Sequence, residues 1–283
     1  MIRPSRIGDE AGLKSLWQAA FGDPRDVIDA FFSALYQPGM AIVWEEDGVI
    51  ASAIYLLDAG LTPLPDGAML HTSYAYALGT LPDYRGRGIG SAITRTVIAR
   101  SAALGFDLNV ICPAEESLFP YYTRLGYTHA FSIMEDNILR SEDVSLENMK
   151  KIMSIDFSIY SSLHRELLSG CGTMYPAEYL RYVEQVCKAS GGGLYELEVD
   201  GQICLAAVSI AGNHLFVREF LGGADVTLGV QVLLEHFSLQ SATVRTAIGD
   251  ETGSLKQRPF VLVSYASVQT LPSGAGYFPF VLD

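Results

Sequence analysis

Residues 82–91 read Pro-Asp-Tyr-Arg-Gly-Arg-Gly-Ile-Gly-Ser and lie between two apolar patterns of different period. The preceding stretch, about 71–81, reads as a strand, and from Ile89 onward apolar residues recur at helical spacing. Glycines let the backbone approach a bulky anion, and the N–H groups at a helix start add partial positive charge. The pattern therefore predicts a diphosphate-binding turn, formed by Arg85, Gly86, Arg87, Gly88, Ile89, Gly90 and Ser91.

Two other interpretations of this turn have to be weighed. A glycine-rich turn with two solvated arginines fits the bare pattern equally well. A dinucleotide-binding turn requires G-x-G-x-x-G, but position 91 is serine. The acid expected at the end of the next strand is replaced by Cys112, and Asp107 stands at the start of that strand instead. The dinucleotide interpretation therefore fits badly, and the surrounding elements decide between the other two.

The first half of the chain predicts a mixed sheet flanked by helices. A short strand at 2–4 precedes a helix from Asp9, and a second helix follows Pro24. Two apolar runs, 40–44 and 49–57, flank the charged turn 45–48 and predict an antiparallel hairpin. After the glycine turn and its helix come a strand at 107–112, a short helix near 115–125 and a strand near 127–139. The predicted class is α/β (α+β), with a mostly antiparallel sheet.

The second half repeats this order of elements. We predict helices near 145–168 and 176–188, strands at 193–199, 203–210, 214–221 and 242–248, and a helix at 225–239. This repetition indicates an internal duplication, with a linker in the charged segment 140–143 and domains at 1–140 and 141–283. The counterpart of the glycine turn, residues 220–225, lacks both arginines and places Asp225 at the helix start, where it would repel an anion. We therefore expect one cofactor per chain.

The strand–turn–helix setting, together with the run Tyr-Tyr-Thr-Arg-Leu-Gly-Tyr at 121–127, resembles the GNAT (GCN5-related N-acetyltransferase) family. In that family R/Q-x-x-G-x-G/A binds the diphosphate of acetyl-coenzyme A, and Arg85, Gly88 and Gly90 match it position by position. The likeness covers about residues 1–140, and the second half then resembles a degenerate copy in a tandem arrangement. It implies acetyl-coenzyme A as co-substrate and no metal.

The resemblance also implies roles in catalysis. An amine attacks the thioester carbonyl, negative charge collects on oxygen, and a thiolate leaves. Backbone groups of Gly79, Thr80 and Leu81 are expected near the carbonyl, and the Tyr122 hydroxyl near sulfur, where it protonates or hydrogen-bonds the leaving thiolate. The alternative for Tyr122 is a helix residue with its hydroxyl at the surface.

The general base and the acceptor site are less defined. Many relatives place a glutamate on the strand before the turn, but residues 73–81 contain no carboxylate. A water chain or another element must then accept the proton, and the C-terminal Asp283 is a candidate, against the alternative of an ordinary solvated chain end. Tyr74 and Tyr76 alternate along the strand and are candidates for contacting the acceptor, with plain sheet packing as the alternative.

Charge and cysteine content restrict the classes of partner and the kind of environment that we expect for this protein. The 283-residue chain has a formal net charge of −13, which disfavours nucleic acid and anionic membranes. The polar opening residues and the lack of an apolar run near ~18 residues predict a cytoplasmic protein. The four cysteines form no C-x-x-C pair, which indicates free thiols. We expect a small-molecule or peptidyl amine acceptor.

A non-catalytic acyl-coenzyme A sensor is the contrasting hypothesis. The missing strand glutamate favours it, and Tyr122 in the matching position argues against it. The identity of the acceptor and the oligomeric state do not follow from the sequence.

Overall fold

The computed structural model describes residues 1–64, 66–141, 151–168, 172–247, 255–266 and 277–278. The first half contains β1 (Ile2–Pro4), α1 (Glu10–Phe21), α2 (Arg25–Ala34), β2 (Ala41–Glu46), β3 (Val49–Pro63), β4 (Met69–Thr80), α3 (Ile89–Ala103), β5 (Leu108–Ile111), α4 (Phe119–Thr123) and β6 (Thr128–Leu139). The second contains β7 (Lys151–Ile155), α5 (Phe157–Leu167), α6 (Ala177–Ala189), β8 (Gly193–Val199), β9 (Gln202–Ala211), β10 (His214–Gly222), α7 (Val226–His236), β11 (Ser241–Thr246) and β12 (Lys256–Tyr265).

The twelve strands of the described residues form one sheet, in the order β1-β2-β3-β4-β5-β12-β6-β11-β10-β9-β8-β7. Neighbouring strands are antiparallel except for two pairs, β4 with β5 and β10 with β11, which are parallel. Each parallel pair is joined by a crossover helix, α3 in the first half and α7 in the second. The predicted fold class, a mixed and mostly antiparallel sheet flanked by helices, is confirmed.

The two halves exchange strands at the centre of the sheet. Strand β12, from the second half, lies between β5 and β6 and pairs antiparallel with both. Strand β6, from the first half, pairs on its other edge with β11. Backbone hydrogen bonds therefore join the halves directly, and the predicted boundary between residues 140 and 141 stays a prediction.

Helices from both halves share one hydrophobic core on the same side of the sheet. Helix α1 buries Leu13, Leu16 and Trp17, as its spacing predicts, and ends at Gly22 in the left-handed conformation (φ 74°). The Phe31 ring on α2 lies edge-to-face against the Tyr182 ring on α6, with centroids 5.6 Å apart. The core therefore packs α2 of the first half directly against α6 of the second half.

The structure corrects one predicted element. Residues 151–155 form strand β7, paired antiparallel with β8, where we expected a helix across 145–168. The helix begins only after Asp156, whose side chain accepts hydrogen bonds from the Ser158 and Ile159 N–H groups. Ile152 and Ile155 are three residues apart, a spacing that suits a helix, so periodicity alone misled the prediction. With β7 in place, both halves begin with a strand followed by two helices.

Two further differences concern local structure. The helix predicted near 115–125 is a single 3-10 turn at Glu116–Leu118 followed by the five-residue α4. Strand β12 was not predicted from the sequence. It reaches the sheet centre through pairing with strands more than 100 residues away, which local pattern does not encode.

Close packing of α7 against β10 generates a stability prediction. A Cβ atom on Gly229 would lie 2.3 Å from Cζ of Phe220, although Gly→Ala in a helix interior usually stabilises by about 0.5–1 kcal/mol. We expect Gly229→Ala to lower the free energy of unfolding by about 1–3 kcal/mol through overpacking, as measured by urea denaturation. Gly12→Ala in α1 is the control, because its Cβ would meet only the flexible end of Ile50, at 3.2 Å, and stability should hold or rise. Equal stability of the two variants would contradict the tight α7–β10 packing.

Candidate active site

The site begins where β4 and β5 separate. The two strands are paired only from Thr72–Tyr74 to Leu108–Val110, and beyond Tyr74 the structure shows no β5 partner for β4 within the described residues. A cavity of about 1090 Å³ lies at this end of β4. Its lining comes from β4, β5, α3 and α4, and also from α1, the α1–α2 connection, the start of α2, α6 and β10. The cavity therefore joins elements of both halves.

A bulge in β4 lies inside this cavity. The register against β3 shifts so that Ala77 and Leu78 together oppose Ile54, and Ala77 has a φ of 50°. The left-handed conformation costs a non-glycine residue about 1–2 kcal/mol. Residues with such strain are found most often at functional sites. The bulge re-aims the end of the strand toward the gap. Sequence reasoning missed Ala77, because alanine carries no turn signal.

The predicted diphosphate-binding turn has the conformation that an anion site needs. Gly86 and Gly88 have φ values of 74° and 76°, which favour glycine. Helix α3 begins at Ile89, with no side-chain cap and no acidic residue in its first turn. The N–H groups of Ile89, Gly90 and Ser91 therefore have no intrahelical acceptor and remain available to a bound anion. Gly90 itself lines the cavity.

The two arginines of the turn differ in position. Arg85 lines the cavity, and its Nε donates to the Thr80 carbonyl oxygen at 3.0 Å. Arg87 instead pairs with Glu46 (2.9 Å) and lies 5.3 Å from the Tyr84 ring. The Arg87 guanidinium is therefore engaged away from the cavity.

The residues at the end of β4 also differ in whether they contact the cavity. Gly79 and Thr80 line the cavity with the bulge. The Leu81 N–H donates to the Ala51 carbonyl oxygen at 2.9 Å, so in this structure it is occupied and not aimed at a ligand. Of the predicted cofactor residues, Gly79, Thr80, Arg85 and Gly90 meet at the cavity, and Gly86, Gly88, Ile89 and Ser91 form the adjoining turn and helix start.

Both tyrosines of α4 line the cavity. Tyr122 is buried, with its ring 6.0 Å from that of Tyr127, and burial raises the pKa of its hydroxyl well above the usual value. The hydroxyl is therefore neutral across the ordinary pH range. Tyr121, which we did not predict, accepts a hydrogen bond from the Ser91 hydroxyl (3.2 Å) and so links α4 to the start of α3.

The other end of the cavity is aromatic. Tyr74 and Tyr76 both line it, with ring centroids 5.5 Å apart, so the structure brings the predicted acceptor-contacting pair together. Burial, and after it the nearby Tyr182 side chain of α6, raise the pKa of the Tyr76 hydroxyl. The Trp17 ring lies 5.7 Å from that of Tyr76, and its indole N–H donates to Asp23 at 2.7 Å. Sequence reasoning missed Tyr182 and Asp23, since nothing local relates α6 to the α1–α2 connection.

Asp283 lies outside the described residues. Near it in sequence, Tyr277 and Phe278 are described and buried. The Thr173 N–H donates to the Tyr277 carbonyl oxygen at 2.9 Å, and the Phe278 ring lies 5.8 Å from that of Tyr74. Tyr277 and Phe278 are thus held close to Tyr74, a tyrosine that lines the cavity.

The counterpart helix in the second half has a different start. The Asp225 side chain accepts a hydrogen bond from the Leu228 N–H (3.0 Å) and caps α7. A carboxylate therefore holds the position that stays open at α3. This agrees with the expectation that only the first half binds an anionic cofactor.

The described residues contain no group of three or more metal-ligating side chains. They also contain no helix long and apolar enough to span a membrane. Cys112, Cys187 and Cys204 are free thiols, and Cys171 lies outside the described residues.

Residues 1–130 match the family model of the acetyltransferase (GNAT) domain. The amino-terminal part of the chain is a GNAT domain. The matched residues run from β1 to the start of β6 and include both parted strands, β4 and β5. No curated protein matches the chain in sequence.

Solved structures resemble the GNAT domain and the second half together. A GCN5-related N-acetyltransferase from Anabaena variabilis is 14% identical, with a TM-score of 0.72 over 94% of this chain and 72% of that one. A probable N-acyltransferase from Enterococcus faecalis is 16% identical, with a TM-score of 0.70 over 95% and 73%. A tandem GNAT protein from the clavulanic acid biosynthesis pathway is 13% identical, with a TM-score of 0.52 over 95% and 99%. At these identities the likeness concerns the fold.

The open start of α3 generates a binding prediction. Gly88→Ala places a side chain at a φ of 76° beside the N–H groups that we expect to hold phosphate, so coenzyme A affinity should fall by tenfold or more in calorimetry. Gly105→Ala is the matched control at the other end of the helix. Its φ of 86° carries a similar strain and a Cβ there also meets open space, so it should cost stability and leave affinity unchanged.

Equal affinities of the two variants would contradict the assignment. The same calorimetry on the unmodified protein should give one coenzyme A per chain, because Asp225 closes the second helix start. Two sites per chain would show that the second half also binds cofactor.

Proposed function

We propose that this protein transfers the acetyl group of acetyl-coenzyme A to a primary amine of a small molecule or peptide, by direct attack of the amine. The observation that carries the proposal is the continuity of one cavity. It contacts the open start of α3 through Gly90 and Arg85, passes the strained bulge at Ala77, and ends among aromatic side chains of both halves. Cofactor and acceptor would thus meet at the end of β4.

The residues present suit coenzyme A. The N–H groups of Ile89, Gly90 and Ser91 and the Arg85 guanidinium would hold the diphosphate, as the unfilled helix start allows. The pantetheine arm would lie in the gap between β4 and β5, beside strand backbone that β5 does not pair. Acetyl-coenzyme A supplies an activated thioester carbonyl there.

The reaction needs three kinds of assistance. The amine nitrogen attacks the carbonyl carbon, so that a C–N bond forms, charge develops on oxygen, and the C–S bond then breaks with loss of a thiolate. Backbone N–H groups at the bulged end of β4 would stabilise the charged oxygen. A hydrogen-bond donor must contact the departing sulfur, and a base must take a proton from the attacking nitrogen.

Tyr122 would serve as the donor at sulfur. Its raised pKa makes it a weaker acid than a thiol, whose usual pKa is about 8.5. Complete proton transfer to the thiolate would therefore be uphill. A hydrogen bond from the neutral hydroxyl to the departing sulfur is favoured instead, and it grows stronger as charge collects there.

Asp283 remains the candidate base. From Phe278 the five following residues span at most roughly 16–18 Å, and the Phe278 ring already lies 5.8 Å from that of Tyr74. The terminal carboxylates are thus within chain reach of the cavity. A water chain is the alternative, because β4 itself carries no carboxylate.

Replacing Tyr122 tests the donor. Tyr122→Phe removes the hydroxyl and keeps the ring, so we expect kcat to fall by about 10²-fold with an identified acceptor while coenzyme A affinity stays within a factor of two or three. Tyr127→Phe is the control, since that hydroxyl bonds to buried Asn109 and its ring is not part of the cavity wall. It should lower stability and keep kcat. Full turnover by Tyr122→Phe would remove the role.

Altering the chain end tests Asp283. A C-terminal tag or deletion of Asp283 should lower kcat tenfold or more and leave coenzyme A affinity intact, whereas the same tag at the amino terminus should have no effect. The measurement is thiol release under saturating acetyl-coenzyme A. Equal rates for the altered and native chains would exclude Asp283 as the base.

Thiol release also tests the function itself. Stabilisation by acetyl-coenzyme A combined with release in the presence of some primary amine is the expected result. Stabilisation without release from any member of a panel of amino acids, peptides, polyamines and aminoglycosides would favour the sensor hypothesis instead.

A further inference from the structure

The Tyr121 hydroxyl lies beside the open start of α3. A Cβ atom on Gly90 would lie 3.2 Å from the Tyr121 hydroxyl oxygen, and the Ser91 hydroxyl donates to the same oxygen at 3.2 Å. Cα–Cβ bonds in a helix tilt toward its N-terminus, so this contact is made on the side of Gly90 that faces the start of α3. Both Tyr121 and Gly90 line the cavity. The hydroxyl is therefore next to the N–H groups that we expect to hold the diphosphate.

The proton of this hydroxyl remains available for a further hydrogen bond. The oxygen accepts from Ser91, and within the part of the chain that the structure describes the tyrosine proton has no acceptor. A phenolic hydroxyl can accept one hydrogen bond and still donate another. The Tyr121 ring packs edge-to-face against that of Tyr122, with centroids 4.9 Å apart. Tyr121 thus presents a donor to the cavity from a packed position on α4.

The second hydroxyl near this position lacks such a proton. Thr80 Oγ1 lies 3.9 Å from the Cβ position of Gly90. The Ser52 hydroxyl donates its single proton to the Gly79 carbonyl oxygen at 2.7 Å, so the 2.8 Å hydrogen bond between Ser52 and Thr80 uses the proton of Thr80. Thr80 is therefore left with lone pairs, which a phosphate oxygen cannot use. Of the two hydroxyls, Tyr121 is the one suited to an anion.

We propose that Tyr121 binds the diphosphate of coenzyme A, with its O–H donating to a phosphate oxygen beside the first N–H groups of α3. The inference rests on the proposed acetyl transfer and adds a side-chain donor to its cofactor site. A hydrogen bond to a charged acceptor is about twice as strong as one between neutral groups. Ser91 contributes indirectly, because its bond to the Tyr121 oxygen polarises the hydroxyl and strengthens the bond that Tyr121 donates.

A structural brace between α3 and α4 is the alternative role for Tyr121. The bond from Ser91 would then be the important one, and removing either hydroxyl would have the same effect. Ser91→Ala distinguishes the two roles. This variant keeps the backbone N–H of residue 91 and leaves the Tyr121 hydroxyl in place to bind phosphate.

Calorimetry with coenzyme A tests the proposal. Tyr121→Phe should weaken affinity by about 10- to 100-fold, the range expected for loss of a hydrogen bond to a charged group. Ser91→Ala should stay within about threefold of the unmodified protein, because only the polarising bond is lost. Tyr127→Phe is the control, since its hydroxyl bonds to Asn109 in the protein interior, and its affinity should be unchanged. Thermal denaturation without ligand verifies that each variant is folded.

The outcomes separate this proposal from the proposed function. Unchanged affinity in Tyr121→Phe would overturn the role of Tyr121 and leave acetyl transfer standing. Equal losses in Tyr121→Phe and Ser91→Ala would also overturn it, in favour of the brace. An unmodified protein that does not bind coenzyme A would overturn both.

Should Tyr121→Phe fail to fold, Tyr121→Met provides a long apolar side chain without a hydroxyl, and the same comparison decides. A loss of affinity larger than that of Ser91→Ala supports the assignment, and an equal or smaller loss overturns it.

Discussion

The separation of β4 from β5 is the constraint on which the site depends. Each strand is held on its outer edge: β4 pairs with β3 as far as Thr80, and β5 pairs with β12 through Ile111. Because these pairings fix the strands from outside, the gap between them stays open while both remain in the sheet. The bulge at Ala77 and the glycine turn that follows then bring the start of α3 to the same opening. The strand that secures β5 comes from the second half, so the gap is a property of the whole chain.

The two halves share an architecture and differ in electrostatics. Both have a parallel strand pair, a crossover helix and a bulge in the strand before that helix. Helix α3 begins without a cap, whereas α7 begins with the Asp225 carboxylate bound to its own N–H group. One copy is therefore suited to an anionic cofactor. The other contributes a wall of the shared cavity, through α6 and Arg218 of β10, and a strand that completes the first half.

Structural features that depend on residues close together in the chain could be predicted from the sequence. The glycine turn was evident because positive φ values favour glycine, and the hairpin and most helices followed from turn residues and apolar period. Ala77 escaped notice because its conformation is imposed by the bulge and not by its own preference. Strand β7 was misread because Asp156, the actual cap, stood inside an apparent helical pattern. Arg218 and Tyr182 join the site through contacts distant in sequence, which no local pattern carries.

Hydrogen exchange of backbone amides would show whether the open start of α3 holds the cofactor. The N–H groups of Ile89, Gly90 and Ser91 have no intrahelical acceptor, so they should exchange rapidly in the free protein. We expect saturating coenzyme A to slow exchange in residues 85–91 and to leave Val226–Leu228, at the start of α7, unchanged. Unaltered exchange at 85–91 under saturation, or protection at the start of α7 instead, would show that the cofactor does not bind at the start of α3.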